Sequence, residues 1–274
     1  MLYFFFFFLV LQVINVLLWW SVFVFMDLVF IFICKENSSF CSILNYYIFQ
    51  ECLGLLFLIF IFNFLQCLIL MSKMGLLPLH FWLFVVVGGL KSWLLMWFLT
   101  WQKLPFMGVL MMILVNELFF LFIFSFFLVY FQLFVVKNFK FMIVLSSTES
   151  FNWILLGYLF SFFNGFFLFL YYFFLSIFLV PFFSSEVVLE YDWLVIYMYM
   201  SMPLGMSFFI KFFMVSYLFF FNCIWFIVVM IFLFISFLAL FFWMVLKGAK
   251  ESFFFNKLSI GFYLIVGSLF LVLF

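Results

Sequence analysis

Five stretches of this chain run for 34 to 53 residues with few charges or none, set off by short polar segments. Those segments fall near 35–43 (KENSSFCSI), 88–92 (GGLKS), 137–140 (KNFK), 184–193 (SSEVVLEYDW) and 247–257 (KGAKESFFFNK). The long blocks cover 34, 44, 44, 43 and 53 residues, and a last block of 17 follows. A membrane-crossing helix takes about 20 apolar residues, so each long block exceeds one crossing and has the length of a helical hairpin. Two crossings per long block and one in the last predict about eleven spans. Transmembrane β-strands would alternate apolar and polar positions over ~10 residues. Runs such as Phe4 to Phe8 or FFLFLYYFFL (166–175) do not alternate. The expected fold is an all-α polytopic membrane protein, a single transmembrane domain over residues 1–274 with broken helices.

Composition closes the other classes. Hydrophobic residues make up 73% of the chain and charged ones 7%, against about 45–50% and 25% in soluble domains. A domain of this size cannot hide that much apolar surface from water. The formal net charge of +1, with no basic block outside short loops, excludes a nucleic-acid binder. Sixty Phe stand beside two Ala, two Thr and no Arg, although close helix packing in membranes favours small residues. Drift in a thymine-rich gene accounts for this usage and hints at organelle encoding. Met1-Leu2-Tyr3 leads straight into an apolar run without a basic presequence. The five Cys form no CxxC pair and His80 is the sole histidine, so no zinc or iron–sulfur site is expected. No dinucleotide, Walker or flavin motif occurs, which assigns any redox chemistry to partners.

With two spans per block, every loop lysine (Lys35, Lys91, Lys137, Lys140, Lys247, Lys250 and Lys257) follows an even-numbered helix and shares a face with the N-terminus. The positive-inside rule makes that the matrix or cytoplasmic face.

Other charges lie deep in apolar sequence: Lys73, Lys103 and Lys211, with the acids Asp27, Glu51, Glu117 and Glu149. Three central lysines cost of order 8–10 kcal/mol before pairing. Compositional drift does not generate such residues, and buried ionisable groups in spans are by default transport or proton-relay candidates. Snorkelling to an interface is the plainer reading, and it suits Lys103 better than Lys73 or Lys211. Glu117 reads most simply as a helix-end residue. Three of the four prolines stand close to these lysines: Pro78 and Gly75 after Lys73, Pro105 after Lys103, Pro203 and Gly205 before Lys211. Proline interrupts a helix, which inside a bilayer is tolerated only against protein or a water-filled cavity. Transporters use such breaks to present backbone dipoles to an ion. His80 follows Lys73 by two turns, on one face if the helix continued; a lone histidine is otherwise a satisfied polar group. Burial disfavours a lysine's charged form and a nearby carboxylate favours it, so moving the carboxylate switches proton affinity.

These residues sit in four ordered runs: KMGLLPLHFW (73–82), LTWQKLPF (99–106), SSTESFNW (146–153) and PLGMSFFIKF (203–212). Together they resemble, across most of the chain, the chain 2 family of mitochondrial NADH:ubiquinone oxidoreductase (respiratory complex I) in its Phe-rich, nematode-like short form. The family pattern K-x-G-x-x-P-x-H-F-W is matched at every fixed position and TWQK is matched whole. The resemblance implies an antiporter-like subunit of the proton-pumping membrane arm. That subunit would have eleven helices, lack the first three of the longer form, and sit in the mitochondrial inner membrane with a matrix-side N-terminus. It places Lys73 and Lys103 on the central proton axis and Lys211 on the half-channel toward the intermembrane space. It also implies a second-span glutamate pairing with Lys73. Here the second span offers Asp27, one methylene shorter, and Glu51 in the third span is its rival; Asp27 is favoured. Glu149 stands near where the family often carries a histidine. The implied partners are other subunits of complex I, above all neighbouring antiporter-like and small membrane subunits, and lipids. NADH, FMN, iron–sulfur clusters and ubiquinone are expected on other subunits, and no cofactor on this one.

The expected function is therefore a proton path through buried lysines and carboxylates, coupled to quinone reduction elsewhere in a proton-translocating NADH:ubiquinone reductase. A free-standing cation/proton antiporter is the competitor, but it calls for a carboxylate-rich oxygen cage that these residues do not supply. A purely structural spacer would tolerate loss of the buried lysines.

Overall fold

The computed structural model describes residues 2–35, 38–60, 62–76, 78–90, 92–114, 118–136, 138–160, 162–184, 210–212, 215 and 223–248. These residues are helical, with no strand among them: α1 (Leu2–Gln12), α2 (Val16–Cys34), α3 (Phe40–Ile59), α4 (Asn63–Met74), α5 (Phe81–Gly88), α6 (Ser92–Leu99), α7 (Lys103–Ile113), α8 (Phe119–Val135), α9 (Phe139–Phe160), α10 (Phe162–Ser184) and α11 (Cys223–Gly248). A helical turn at 210–212 carries Lys211.

The first four apolar blocks are filled in chain order, with helices packed on one another inside the first, second and fourth. They contain α1–α2, then α3 with the pair α4/α5, then the pair α6/α7 with α8, then α9–α10. The eleven helices among the described residues are not eleven spans: Trp93–Ile113, which holds most of α6 and all of α7, is a single stretch long enough to cross. Residues Val16–Cys34, Phe40–Ile59 and Trp93–Ile113 are long and apolar enough to cross a membrane, and shorter apolar helices accompany them. At 1.5 Å per residue, α1 reaches only about 16 Å, in keeping with the short first block. The proposed break near Pro203 and Gly205, the acidic segment around Glu186, Glu190 and Asp192, Glu117, and the last block (258–274) lie outside the described residues.

The two breaks have local causes. α4 ends in a Schellman motif: the Gly75 N–H bonds to the Ser72 carbonyl at 3.0 Å and the Leu76 N–H to Met71 at 2.8 Å. Gly75 is left-handed at φ 69°, a conformation glycine adopts without a Cβ clash. The α6–α7 break is a proline effect. The Pro105 ring collides with the carbonyl four residues back, that of Trp101. The chain responds with a bond reaching five residues back, from Gln102 N to Trp97 O (3.3 Å), and bonds reaching three back, from Lys103 N to Thr100 O (3.1 Å) and Leu104 N to Trp101 O (3.3 Å).

α4 and α1 pack on α7, α2 on α3, α3 on α5, α8 between α9 and α11, and α10 on α9 and α6. The interior is aromatic: Phe23 meets Phe57 and Phe106 at centroid distances of 5.7 and 4.7 Å, and Phe126 meets Trp153 at 4.7 Å. The outer surface is apolar too, with Phe32, Phe62, Phe120 and Phe131 exposed, as a lipid-facing surface requires.

Three of the lysine-bearing segments come together. Ser39 N donates to Gly89 O (3.3 Å), and Lys140 Nζ donates to Leu90 O (3.1 Å). The segments that follow α2, α5 and α8 therefore meet at one end of the bundle, the arrangement expected if the loop lysines share a face. Lys91 and Lys137 themselves lie outside the described residues.

Candidate functional site

The helix break after Lys73 places that lysine in the last turn of α4, where carbonyls lack helical partners. They find side chains instead: Gln50 Nε2 donates to the Lys73 carbonyl (3.0 Å) and Trp82 Nε1 to the Ser72 carbonyl (3.0 Å). The ammonium lies 3.8 Å from Asp27 Oδ2, with both side chains 1% exposed. It also sits over the rings of Phe23 (5.2 Å) and Phe106 (5.3 Å), within cation–π range. Asp27 Oδ1 accepts from the Tyr46 hydroxyl and from Gln102 Nε2 (2.8 Å), and Gln102 Nε2 also donates to the Tyr46 oxygen (2.6 Å). Tyr3 extends the network, donating to Gln102 Oε1 (3.5 Å) while accepting from Trp97 Nε1 (3.1 Å). Gly54 of α3 lies beside the Lys73 nitrogen: a Cβ there would stand 3.4 Å from it and 3.3 Å from Trp20 Nε1.

Of the two rival carboxylates, Asp27 is the one within ion-pairing distance of Lys73. Glu51 sits on α3 half-buried, its Oε1 enclosed without a hydrogen bond.

Lys103 is the first residue of α7, buried, with its Nζ 4.4 Å from the Phe151 ring centre and no hydrogen-bond partner. The helix dipoles treat the two lysines oppositely. A cation is favoured at the C-terminal end of α4 and opposed at the N-terminal end of α7.

A second buried pair involves Glu149, two residues before Phe151 on α9. Lys211 Nζ contacts Glu149 Oε1 at 2.5 Å, with side-chain exposures of 4% and 2%. Ser236 of α11 gives the same nitrogen a second contact at 3.0 Å. Glu149 Oε1 also accepts from Tyr130 and Trp153, both at 3.3 Å. Groups from α8, α9 and the 210–212 turn thus meet at one carboxylate, and α11 joins through the lysine.

His80 does not share a face with Lys73, because the helix breaks between them. It caps α5, its Nδ1 3.3 Å from the Pro78 carbonyl and its Nε2 2.5 Å from the Gln132 side-chain amide of α8. The carbonyl only accepts, so Nδ1 carries the hydrogen of that contact.

Sequence reasoning singled out the charged residues but not Tyr3, Tyr46, Gln50, Gln102, Tyr130, Gln132 or Ser236. Buried glutamines in apolar blocks were a usable signal, since a desolvated amide demands partners. The tyrosines were not distinguishable from the aromatic background.

A bundle of apolar helices, split at glycine and proline, with lysine–carboxylate pairs sealed in its interior, is a polytopic membrane protein. Two relatives share most of its length. One, from Caenorhabditis elegans, is 41% identical over 239 residues, covering 87% of this chain and 85% of the relative. The other, from Ascaris suum, is 48% identical over 205 residues, covering 75% and 68%. Both are NADH-ubiquinone oxidoreductase chain 2, and the chain belongs to that family. No family model matches the chain.

Proposed function

We propose that this chain is a membrane-arm subunit of mitochondrial NADH:ubiquinone oxidoreductase that carries part of a proton path, with no redox chemistry and no cofactor of its own. The observation that carries this reading is the succession of buried lysines: Lys73 paired with Asp27, Lys103 without a partner, and Lys211 paired with Glu149. Burial opposes a lysine's charged form, and a facing carboxylate restores it. Two lysines that face a carboxylate therefore flank one that does not. A change of charge at Asp27 or Glu149 alters what the neighbouring lysine holds. Gln102 links the first pair to the turn before Lys103, and Lys103 rests on Phe151 of α9, the helix that also carries Glu149. His80 with Gln132, and Glu51 beside the first pair, are the remaining candidates for the path. The chain would lie in the inner membrane with its lysine-bearing end toward the matrix, among the other membrane-arm subunits and lipid.

Two measurements test this. On a native gel stained for NADH dehydrogenase activity, the chain should migrate with the active high-mass band. Migration alone at low mass would favour a free cation/proton antiporter. In the assembled complex, Lys103→Met should lower proton-coupled turnover while assembly persists. A normal proton-to-electron ratio and rate in that variant would refute the relay role.

A further inference from the structure

The groups around Asp27 do more than neutralise a lysine. Its Oδ1 takes one hydrogen from Tyr46 and one from Gln102, and Gln102 also bonds to the Tyr46 oxygen, so the three side chains close a ring of hydrogen bonds. Its Oδ2 has no hydrogen bond and faces Lys73 across 3.8 Å. An unconstrained lysine–carboxylate pair closes to about 2.7–2.9 Å. The pair is thus held open by roughly 1 Å, the carboxylate fully bonded on its far side and the ammonium resting against Phe23 and Phe106. The lost methylene of an aspartate contributes to the gap, and the two donors on Oδ1 keep the short side chain from turning to close it.

Gln102 has a second relevant property, which is its place in the chain. It is the last residue before Lys103, in the turn at 100–102 where Pro105 has removed the regular helical ladder. A pull on the Gln102 side chain acts directly on the segment that positions Lys103 over Phe151.

We infer that Gln102, together with Tyr46, is a positioning residue that holds the Asp27–Lys73 pair open and ties the charge on that pair to the placement of Lys103. With Asp27 ionised, the bonds from Tyr46 and Gln102 are charge-assisted and about twice as strong as neutral ones. With Asp27 protonated they weaken, and the turn before Lys103 is released. The inference rests on the proton-path reading given above.

The test uses the assembled complex carrying Gln102→Leu, a change of similar size without the amide. Three results are expected. The complex assembles on native gels. The infrared carboxylate stretch of Asp27, assigned by difference against Asp27→Asn, shifts as Oδ1 loses a donor. Proton-coupled NADH:ubiquinone turnover falls roughly tenfold, the rate equivalent of one charge-assisted hydrogen bond. Tyr46→Phe removes the other donor to Oδ1 with little change in packing volume, and it should shift the same band; it also serves if Gln102→Leu does not assemble. A residue needed only for packing would change assembly and leave the band in place. An unmoved carboxylate band with native turnover in these variants overturns the clamp. Native pumping in Asp27→Asn overturns the proton-path reading instead, so the two failures are distinguishable.

Discussion

Replacing Glu149 by Gln strands a lysine in the interior. The substitution keeps the shape of the side chain and a carbonyl oxygen that Tyr130 and Trp153 can still bond, so what it removes is the charge opposite Lys211. That ammonium is 4% exposed, and among the described residues its other bond is to the Ser236 hydroxyl at 3.0 Å. Breaking a buried pair from one side costs about 3–5 kcal/mol, because the remaining charge is left without compensation. Removing both charges is a different perturbation. Replacing a buried ion pair by groups of similar volume is close to neutral, so Glu149→Gln with Lys211→Met should return to within about 1 kcal/mol of the native chain. With both single losses counted against a double loss of at most about 1 kcal/mol, the double-mutant cycle should therefore show a coupling of about 5–10 kcal/mol between the two sites. The assay is thermal dissociation of the assembled complex on native gels, in parallel with dye-quench measurement of pumping in liposomes. Stability should fall in each single variant and recover in the double one, while pumping recovers in neither. A single variant as heat-stable as the native complex, or a double variant less stable than both singles, would refute the energetic argument. Restored pumping in the double variant would refute the assignment of Glu149 and Lys211 to the path.

Two further outcomes follow from the geometry. Gly75→Ala forces a residue with a Cβ into the left-handed region, and the new methyl falls inside the Leu83 side chain. Strain of about 1–2 kcal/mol and overpacking of about 1–3 should displace the end of α4 that carries Lys73, read as less assembled complex and lower pumping together. The sidedness of the lysine-bearing end can be measured chemically. A membrane-impermeant amine reagent should modify Lys35 in inside-out inner-membrane vesicles and not in intact mitoplasts; the opposite pattern would reverse the orientation.

The class of this protein was legible in its sequence because the determining physics is local. Apolar length dictates helices that can cross a bilayer, polar segments mark the ends of hairpins, and Gly75 and Pro105 break helices wherever those helices pack. The same local reading set Lys73, Lys103, Lys211, Asp27, Glu51, Glu117 and Glu149 deep in apolar sequence; five of them are buried, Glu51 is half-buried, and Glu117 lies outside the described residues. Which carboxylate meets which lysine was decided by the tertiary structure. Asp27 reaches Lys73 because α2, α3 and α7 pack so that Tyr46 and Gln102 converge on its Oδ1. Glu51, nearer to Lys73 in sequence, lies beyond ion-pairing distance. His80 lost its expected alignment with Lys73 once Gly75 turned the chain, and it was taken up by Gln132 from a distant helix. A one-dimensional pattern records how far apart residues are along a helix. It does not record the rotation and crossing of one helix against another, and those set every long-range contact in this site.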